Sequence, residues 1–302
     1  MRRKLIRIGK STLLLSAPRD WVIANSLSKG DEVEVAIDND KLTIWCDSKI
    51  KKEKLSMDVT EFRHMLPRLL YSVYRSGADE LELHSKDPAF LGSIKSIVWK
   101  EALGFELIEQ KEGFCRIINV SGKIEDFSNI LRRLFMINLT MADEAVLSIK
   151  KNEGIENLLY MEQENNRLAA MLIRSINKYG SFGFKKIGPL YYTVQELERI
   201  GDHYKFIAQH LSKKKGKVSL KPAVIEILRN SGSVFRMVYE LFYSFHPDNV
   251  EKIKDMRNKV IEEIMKQNSK NPSEDEILIL NNSMSIAARS FDMVTSILIL
   301  ST

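Results

Sequence analysis

The amino-acid sequence predicts a multidomain, mainly α-helical protein with a β-rich N-terminal segment and a small α/β region in the middle. Short apolar runs up to about residue 46 are typical of short strands, and those of residues 33–37 and 41–45 alternate with a period of two. A mixed pattern of helices and strands follows to residue 121, and helical spacing then continues to the C terminus. The predicted domains are 1–48, 55–121 and 122–302, and the last is predicted to contain two repeats, 122–212 and 221–302.

The composition limits the class of protein. Of the 302 residues, 44% are apolar and 28% are charged, which is ordinary for a folded protein and excludes disorder over any large part. Cys46 and Cys115 match no metal-ligand spacing and suit a reducing compartment. No cleavable signal pattern is recognised, and the apolar stretch from Ile286 to Leu300 is too short to span a bilayer. We therefore expect a cytoplasmic protein without membrane insertion.

Short strands and one helix are predicted in the N-terminal segment. The predicted strands are Leu5 to Ile8, Thr12 to Ser16, Val33 to Ile37 and Lys41 to Trp45, with a turn at Asp38-Asn39-Asp40 and a helix from Pro18 to Leu27. So short a segment of strands has too little core of its own, and we expect it to fold together with a second copy.

Positive charge is concentrated at the start of the chain. No acidic residue lies between Met1 and Arg19, and the formal net charge of the whole chain is +6. A dimer would display two such sets of cations, which favours counterion release from duplex DNA. The lysines between Lys213 and Lys221 are instead interpreted as a solvated linker. The residues predicted to contact DNA are Arg3, Lys4, Arg7, Lys10 and Arg19.

The middle region predicts a small α/β module without a catalytic pattern. Thr60 is expected to cap a helix that runs to Ser76, and Leu81 to Leu83 is expected to form a strand. The remaining predictions are a helix opened by Asp87-Pro88 that carries Phe90, Leu91 and Leu103, and a hairpin of Phe105 to Ile108 with Cys115 to Val120. We interpret the module as a spacer that contributes to dimer contacts, with ligand binding as the alternative.

The N-terminal segment resembles the AbrB/SpoVT swapped-hairpin domain. The resemblance rests on the stretches Arg7 to Ser11, Leu15 to Trp21 and Leu27 to Val33. The chain departs from the family pattern at Ala17, where leucine is more usual. The resemblance implies a dimer of interleaved hairpins that contacts DNA through arginines and lysines near the first strand.

Six helices are predicted in the C-terminal region. Their predicted bounds are Phe127 to Lys151, Ile155 to Tyr179, Leu190 to Leu211, Pro222 to Phe245, Pro247 to Gln267 and Ser273 to Leu300. The third helix carries Glu196-Leu197-Glu198-Arg199-Ile200-Gly201-Asp202-His203, followed by Ile207-Ala208. This sequence resembles the signature helix of the PhoU phosphate-uptake regulators, and the order of the domains resembles the archaeal members of that family. The resemblance implies two three-helix repeats.

Carboxylates of the signature helix are candidate metal ligands. Glu198 and Asp202 are four residues apart and are expected on one helix face. The PhoU resemblance implies that such pairs bind iron or zinc, and the matching pair of the preceding helix is Glu162 and Asn166. We therefore predict at most one weakly held divalent ion with Glu162, Glu198 and Asp202 as ligands. The alternative is that these acids pair helices, with Arg199 as a partner.

The second repeat is expected to hold no metal. The positions that match the ligand pairs are Asp255, Lys259, Met284 and Ala288, which include a cation and two side chains without oxygen. His203 is expected to pack or form hydrogen bonds. Should several ions bind, the next ligands to consider are Asp143 and Glu144.

These patterns favour a regulator over an enzyme. The sequence has no phosphate-binding glycine loop and no recognised nucleophile context. We expect a phosphate-responsive transcription regulator, with DNA bound by the N-terminal segment and the PhoU-like helices as the sensor or partner module. The alternative is a PhoU-type adaptor that contacts a phosphate-transporter ATPase or a sensor kinase, with the N-terminal segment serving only to form a homodimer.

Overall fold

The computed structural model describes residues 2–38, 41–46, 52–87, 92, 94–122, 126–180, 184, 186–214 and 218–302. These residues form a mainly helical chain with small sheets, as predicted. The chain divides into two compact units, Met1–Glu53 and Lys54–Thr302. The regions 55–121 and 122–302, which the sequence predicts as separate domains, both lie in the second unit.

The first unit consists of two hairpins and a short helix. Strands β1 (Ile6–Ile8) and β2 (Thr12–Leu14) pair antiparallel, and helix α1 (Arg19–Ala24) follows. Strands β3 (Glu34–Asp38) and β4 (Lys41–Trp45) form the second antiparallel pair, which is a separate sheet. The elements follow the prediction closely. The predicted turn residues Asn39 and Asp40 lie outside the described residues.

The second unit begins with a four-stranded sheet. Its strand order is β5 (Lys54–Asp58), β6 (Glu80–His84), β8 (Phe114–Asn119) and β7 (Phe105–Lys111), and only the β5–β6 pair is parallel. Helices α2 (Leu66–Ser76) and α3 (Ile94–Glu101) belong to the same module and contact each other. The sequence analysis missed β5, although its burial alternates along the strand. The lysine-rich composition before it masked that pattern.

Two predictions about the helices of this module need correction. Thr60 does not cap a helix, because α2 begins at Leu66 after a 3₁₀ turn. The backbone N–H and the hydroxyl of Thr60 instead donate to Asp58 Oδ1 at 2.8 and 2.5 Å. Leu103 lies beyond the end of α3, and the predicted helical residues Phe90 and Leu91 lie outside the described residues.

Six long helices complete the second unit. They are α4 (Phe127–Lys151), α5 (Asn157–Tyr179), α6 (Ile187–Leu211), α7 (Pro222–Tyr243), α8 (Asp248–Asn268) and α9 (Glu274–Ser301). Asp126 caps α4 by accepting from Asn129 N–H, and Ser273 with Glu276 forms a capping box at the start of α9. Helix α6 begins at Ile187, before the predicted start at Leu190, and Pro189 lies in its first turn.

The helices pack as two triplets around one core. Helices α4, α5 and α6 contact one another, and so do α7, α8 and α9. The first helices of the triplets, α4 and α7, pack together, and so do the third helices, α6 and α9. Helix α2 packs on α5, whose Ala170 belongs to the core of the α/β module. The signature helix α6 is therefore central to this unit.

One helix in the described part of the chain, α9, is long and apolar enough to cross a membrane when length and composition alone are considered. The prediction without a span concerned Ile286 to Leu300, which carries Arg289 and Asp292 and is part of this 28-residue helix. Buried residues such as Ile279, Ile286 and Ile297 belong to the core that α9 shares with the other long helices.

Candidate functional sites

The predicted DNA-contacting residues lie exposed on the first unit. Arg3 and Lys4 precede β1, Arg7 is in its centre, Lys10 is in the turn after it, and Arg19 begins α1. No ion pair ties any of these five side chains to another residue in the described part of the chain. Their charges are therefore available to an anionic partner.

Apolar side chains of the first unit are also uncovered. Partners in an antiparallel pair share a face, so Val35 with Ile44 and Ile37 with Leu42 form one apolar face of the second hairpin. Ile37 is nevertheless 80% exposed. Of the hydrophobic side chains described in Met1–Glu53, only that of Cys46 is buried. The other large apolar side chains that lie exposed include Leu5, Ile6, Ile8, Leu13, Leu14, Leu15 and Ile23.

An apolar groove of about 570 Å³ lies within this first unit. Its lining comes from the segment after β2, from α1 and from the second hairpin, and includes Leu15, Pro18, Trp21, Val33, Leu42 and Ile44. A unit with an open groove and uncovered hairpin faces lacks the core that normally stabilises a domain.

On the signature helix, the buried carboxylate of Glu196 joins α6 to α9. Its Oε1 accepts from Arg199 at 2.7 Å, and its Oε2 accepts from Arg289 of α9 at 3.0 Å. Glu196 is only 1% exposed, so the two guanidinium groups compensate a charge that would otherwise be buried alone. Arg199 therefore pairs with Glu196 and not with Glu198 or Asp202, which corrects its predicted role.

His203 extends the same contact between α6 and α9. Arg289 Nε donates to His203 Nε2 at 3.1 Å, and His203 Nδ1 lies 2.9 Å from Asn282 Oδ1. Because a guanidinium can only donate, Nε2 must accept, and Nδ1 carries the proton of a neutral ring. Burial lowers the pKa of His203, in agreement with that neutral form. The residue thus forms hydrogen bonds, as predicted.

Glu198 connects the signature helix to the α/β module. Tyr71 Oη of α2 donates to Glu198 Oε1 at 2.9 Å, and Arg75 of the same helix lies 3.4 Å from Oε2. Gln195 also donates to Oε2, at 2.9 Å. Its carboxylate is thus engaged by α2 and by its own helix.

Lys205 forms ion pairs with both Glu162 and Asp202. Lys205 Nζ of α6 donates to Glu162 Oε1 of α5 at 2.6 Å and also to Asp202 Oδ1. Asn166 Nδ2 donates to the same Glu162 oxygen at 2.6 Å. Partial burial disfavours the charge on Lys205, but the two carboxylates outweigh that cost and hold its pKa above the usual value.

Two buried asparagines, one on α4 and one on α5, form hydrogen bonds that reach the backbone of the signature sequence. Asn138 Nδ2 of α4 donates to Asn165 Oδ1 of α5 at 2.7 Å. Asn165 Nδ2 in turn donates to the carbonyl oxygens of Leu197 and Glu198, at 3.3 and 3.4 Å. A Cβ atom at Gly201 would lie 3.0 Å from Asn165 Cγ and closer still to Nδ2. Glycine is therefore required at this point of the signature helix.

The carboxylates predicted as metal ligands do not fit one resident ion as they lie. Glu198 bonds to α2, whereas Glu162 and Asp202 are bridged by Lys205. The described residues contain no group of three or more His, Cys, Asp or Glu side chains that could hold a metal. The next candidates are also engaged in other contacts: Asp143 pairs with Arg236 at 2.9 Å and Glu144 accepts from Ser148 at 3.3 Å.

Several of these residues were missed by the sequence analysis. Lys205 could have been found, because it lies three residues after Asp202 on the same helix. Tyr71, Arg75 and Arg289 are far from the signature in sequence, and nothing in their local pattern indicates that they contact it.

Comparisons with known proteins give no relative: no family model, no curated protein and no solved structure matches this chain.

Proposed function

We propose that this chain is a cytoplasmic, homodimeric transcription regulator that binds DNA through Met1–Glu53 and responds to phosphate supply through its helical region. The supporting observation is the set of exposed cations between Arg2 and Arg19, on a unit whose apolar faces are uncovered. No metal ion enters the proposal, because Lys205 bridges two of the three candidate ligands.

The uncovered apolar faces support a dimer. Burial of one side chain such as that of Ile6, Ile8 or Ile37 contributes about 1.5–3 kcal/mol. A dimer would bury these three side chains of both chains, which makes six. These six side chains together would offset an association cost of roughly 4–15 kcal/mol. The resemblance to swapped-hairpin domains favours a second copy of this chain as the partner, with its hairpins over the apolar groove.

Dimerisation would also double the cationic surface. Arg3, Lys4 and Arg7 of two chains would lie on one dimeric unit, with no acid in the first nineteen positions to neutralise them. Duplex DNA carries closely spaced phosphates with condensed counterions, and their release favours binding to such a surface. The response to phosphate rests on the resemblance of residues 196–203 to the PhoU signature and on the two helix triplets, which agree with two three-helix repeats.

The DNA proposal is tested with the double variant Arg7→Ala/Lys10→Ala. Each lost phosphate contact should lower the slope of log affinity against log salt concentration by about 0.9, so the dimer should lose up to about 3.6 for four contacts. Binding of the full chain to chromosomal DNA fragments would be titrated by gel shift over a range of salt concentrations. Lys252→Ala/Lys254→Ala is the matched control, because it removes the same charge from exposed positions of the second unit.

The outcomes of that titration are distinct. A lower slope in the first variant alone supports the DNA-binding regulator. Wild-type protein without salt-dependent binding to DNA contradicts it and favours the adaptor, which acts through contact with a transporter ATPase or a sensor kinase.

Dimerisation is tested separately by analytical sedimentation of the full chain. The wild type should be a dimer at micromolar concentration, and Ile8→Glu/Ile37→Glu should weaken the dimer because it places charge on the uncovered faces. Ile187→Glu, at an exposed position of the second unit, should leave the dimer intact. A wild-type monomer would contradict the proposed assembly.

A further inference from the structure

Lys205 lies where two carboxylates of different helices meet. Its ammonium is 2.6 Å from Glu162 Oε1 on α5 and hydrogen-bonds to Asp202 Oδ1 on its own helix. The Glu162 side chain is only 7% exposed, so its charge needs a compensating cation nearby. One lysine thus pairs with two acids that belong to adjacent helices of the first triplet.

The atoms around this ammonium are those of a hard-cation site. Two carboxylates converge there, and Asn166 Nδ2 donates to Glu162 Oε1, while Oδ1 of the same amide is buried without a hydrogen-bond partner in the described part of the chain. A half turn of this amide would exchange the positions of its nitrogen and oxygen and bring the oxygen to the carboxylates. Carboxylate and amide oxygens are the donors that hard divalent ions prefer. An ammonium group offers a single charge and three donors in the same space. A divalent ion and the lysine cannot both occupy it.

We propose that Lys205 is a built-in cation that takes the place of a divalent metal ion between Glu162 and Asp202, so that α5 and α6 are held together without metal. The proposal names a latent site for a hard divalent cation, with Glu162, Asp202 and Asn166 as its oxygen donors. Removal of the ammonium opens that site. It also follows that chelators do not weaken the contact between these helices in the natural chain.

The test uses Mn²⁺ as the probe, because this ion prefers oxygen ligands. Full-length wild type and Lys205→Ala would be stripped with chelator and titrated with Mn²⁺ by calorimetry. We expect Lys205→Ala to bind one Mn²⁺ per chain at least tenfold more tightly than wild type. Mn²⁺ should raise the melting temperature of Lys205→Ala and leave that of wild type unchanged.

Two controls separate this site from general charge effects. Lys205→Ala/Asp202→Asn lacks one ligand and should lose the gained affinity. Lys214→Ala removes a lysine that pairs with Asp275 at 2.8 Å, and it should gain no Mn²⁺ site. Lys205→Gln, which keeps a hydrogen-bond donor, serves if Lys205→Ala does not fold.

The results that overturn the proposal are equally defined. Wild type that binds one Mn²⁺ as tightly as Lys205→Ala would show that the lysine does not occupy the site. Folded Lys205→Ala without Mn²⁺ binding would show that the oxygens do not form one. Failure of both Lys205 variants to fold with and without Mn²⁺ would also count against it, whereas folding only with Mn²⁺ would support it.

Discussion

Gly201 lies on α6 at the point where the amide of Asn165 reaches across from α5. Substitution Gly201→Ala would place a methyl group 3.0 Å from Asn165 Cγ and nearer to Nδ2. Gly201 and Asn165 are both buried, and the asparagine side chain cannot yield without losing its bonds to the Leu197 and Glu198 carbonyls. The added methyl group should therefore disrupt the hydrogen bonds between Asn165 and the backbone of α6.

The magnitude follows from three contributions. Overpacking of a filled core costs about 1–3 kcal/mol. Loss of the two hydrogen bonds adds about 1 kcal/mol for each. Alanine gains about 1 kcal/mol over glycine in a helix interior. The free energy of unfolding should therefore fall by about 2–4 kcal/mol, which lowers the melting temperature of a unit of this size by on the order of 5–15 °C.

The assay is urea unfolding of the full chain followed by circular dichroism, with calorimetry for the melting temperature. Asn165→Ala removes the side chain that the methyl group meets, so Gly201→Ala should cost little in that background. A Gly201→Ala protein as stable as wild type would refute the reasoning. The reasoning would also be refuted if adding Gly201→Ala to Asn165→Ala lowered the free energy of unfolding by as much as Gly201→Ala does in the wild type.

Two further predictions concern buried charges. Arg174→Met should lower the free energy of unfolding by about 1–3 kcal/mol in the same urea assay, because it removes the guanidinium that donates to the Tyr74 and Ala78 carbonyls, while Lys178 still pairs with Asp79. Arg116→Met, at a more exposed arginine–carboxylate pair, should change it little, and an equal loss in both variants would contradict the argument. Burial opposes ionisation of Glu276, but the backbone N–H groups of Lys221 and Ser273 and the Lys221 ammonium outweigh it and hold its pKa below the ordinary 4.5. Its contribution to stability is therefore complete above pH 4.5 and is lost as the pH falls through the lower pKa of the folded state. Glu276→Gln should flatten that decrease in acid unfolding curves, and an unchanged curve would contradict it.

Local patterns in the sequence were sufficient for most of the fold. The helices from α4 to α9 follow from apolar spacing and from capping residues such as Asp126 and Ser273, which act on neighbouring backbone atoms. The second hairpin of the first unit follows from the alternation along β3 and β4, and the first follows from two short apolar runs on either side of Gly9. Strand β5 was missed for two reasons: a lysine-rich stretch precedes it, and its parallel pairing with β6, across a helix, leaves no turn signal next to the strand.

The contacts of the signature helix were less accessible to sequence reasoning. The spacing of Glu198 and Asp202 predicts a shared face, yet their carboxylates bind different partners, because α2 packs on α5 and brings Tyr71 to Glu198. Spacing fixes the direction in which a side chain leaves its helix, whereas the partner depends on the packing of another element. The exception is Lys205 with Asp202, whose three-residue separation is local.

Acids of the signature helix connect α6 to three other elements of its unit. Glu196 is paired with Arg289 of α9, Glu198 with Arg75 of α2, and Asp202 through Lys205 with Glu162 of α5. Because α9 belongs to the second triplet and α2 to the α/β module, a shift of α6 would alter charge pairs in every part of the second unit at once. Partly or fully desolvated pairs are costly to break one at a time. A movement of any of these elements would therefore change the charge pairs of α6, and under the proposed function this helix is the element through which an effector signal would pass.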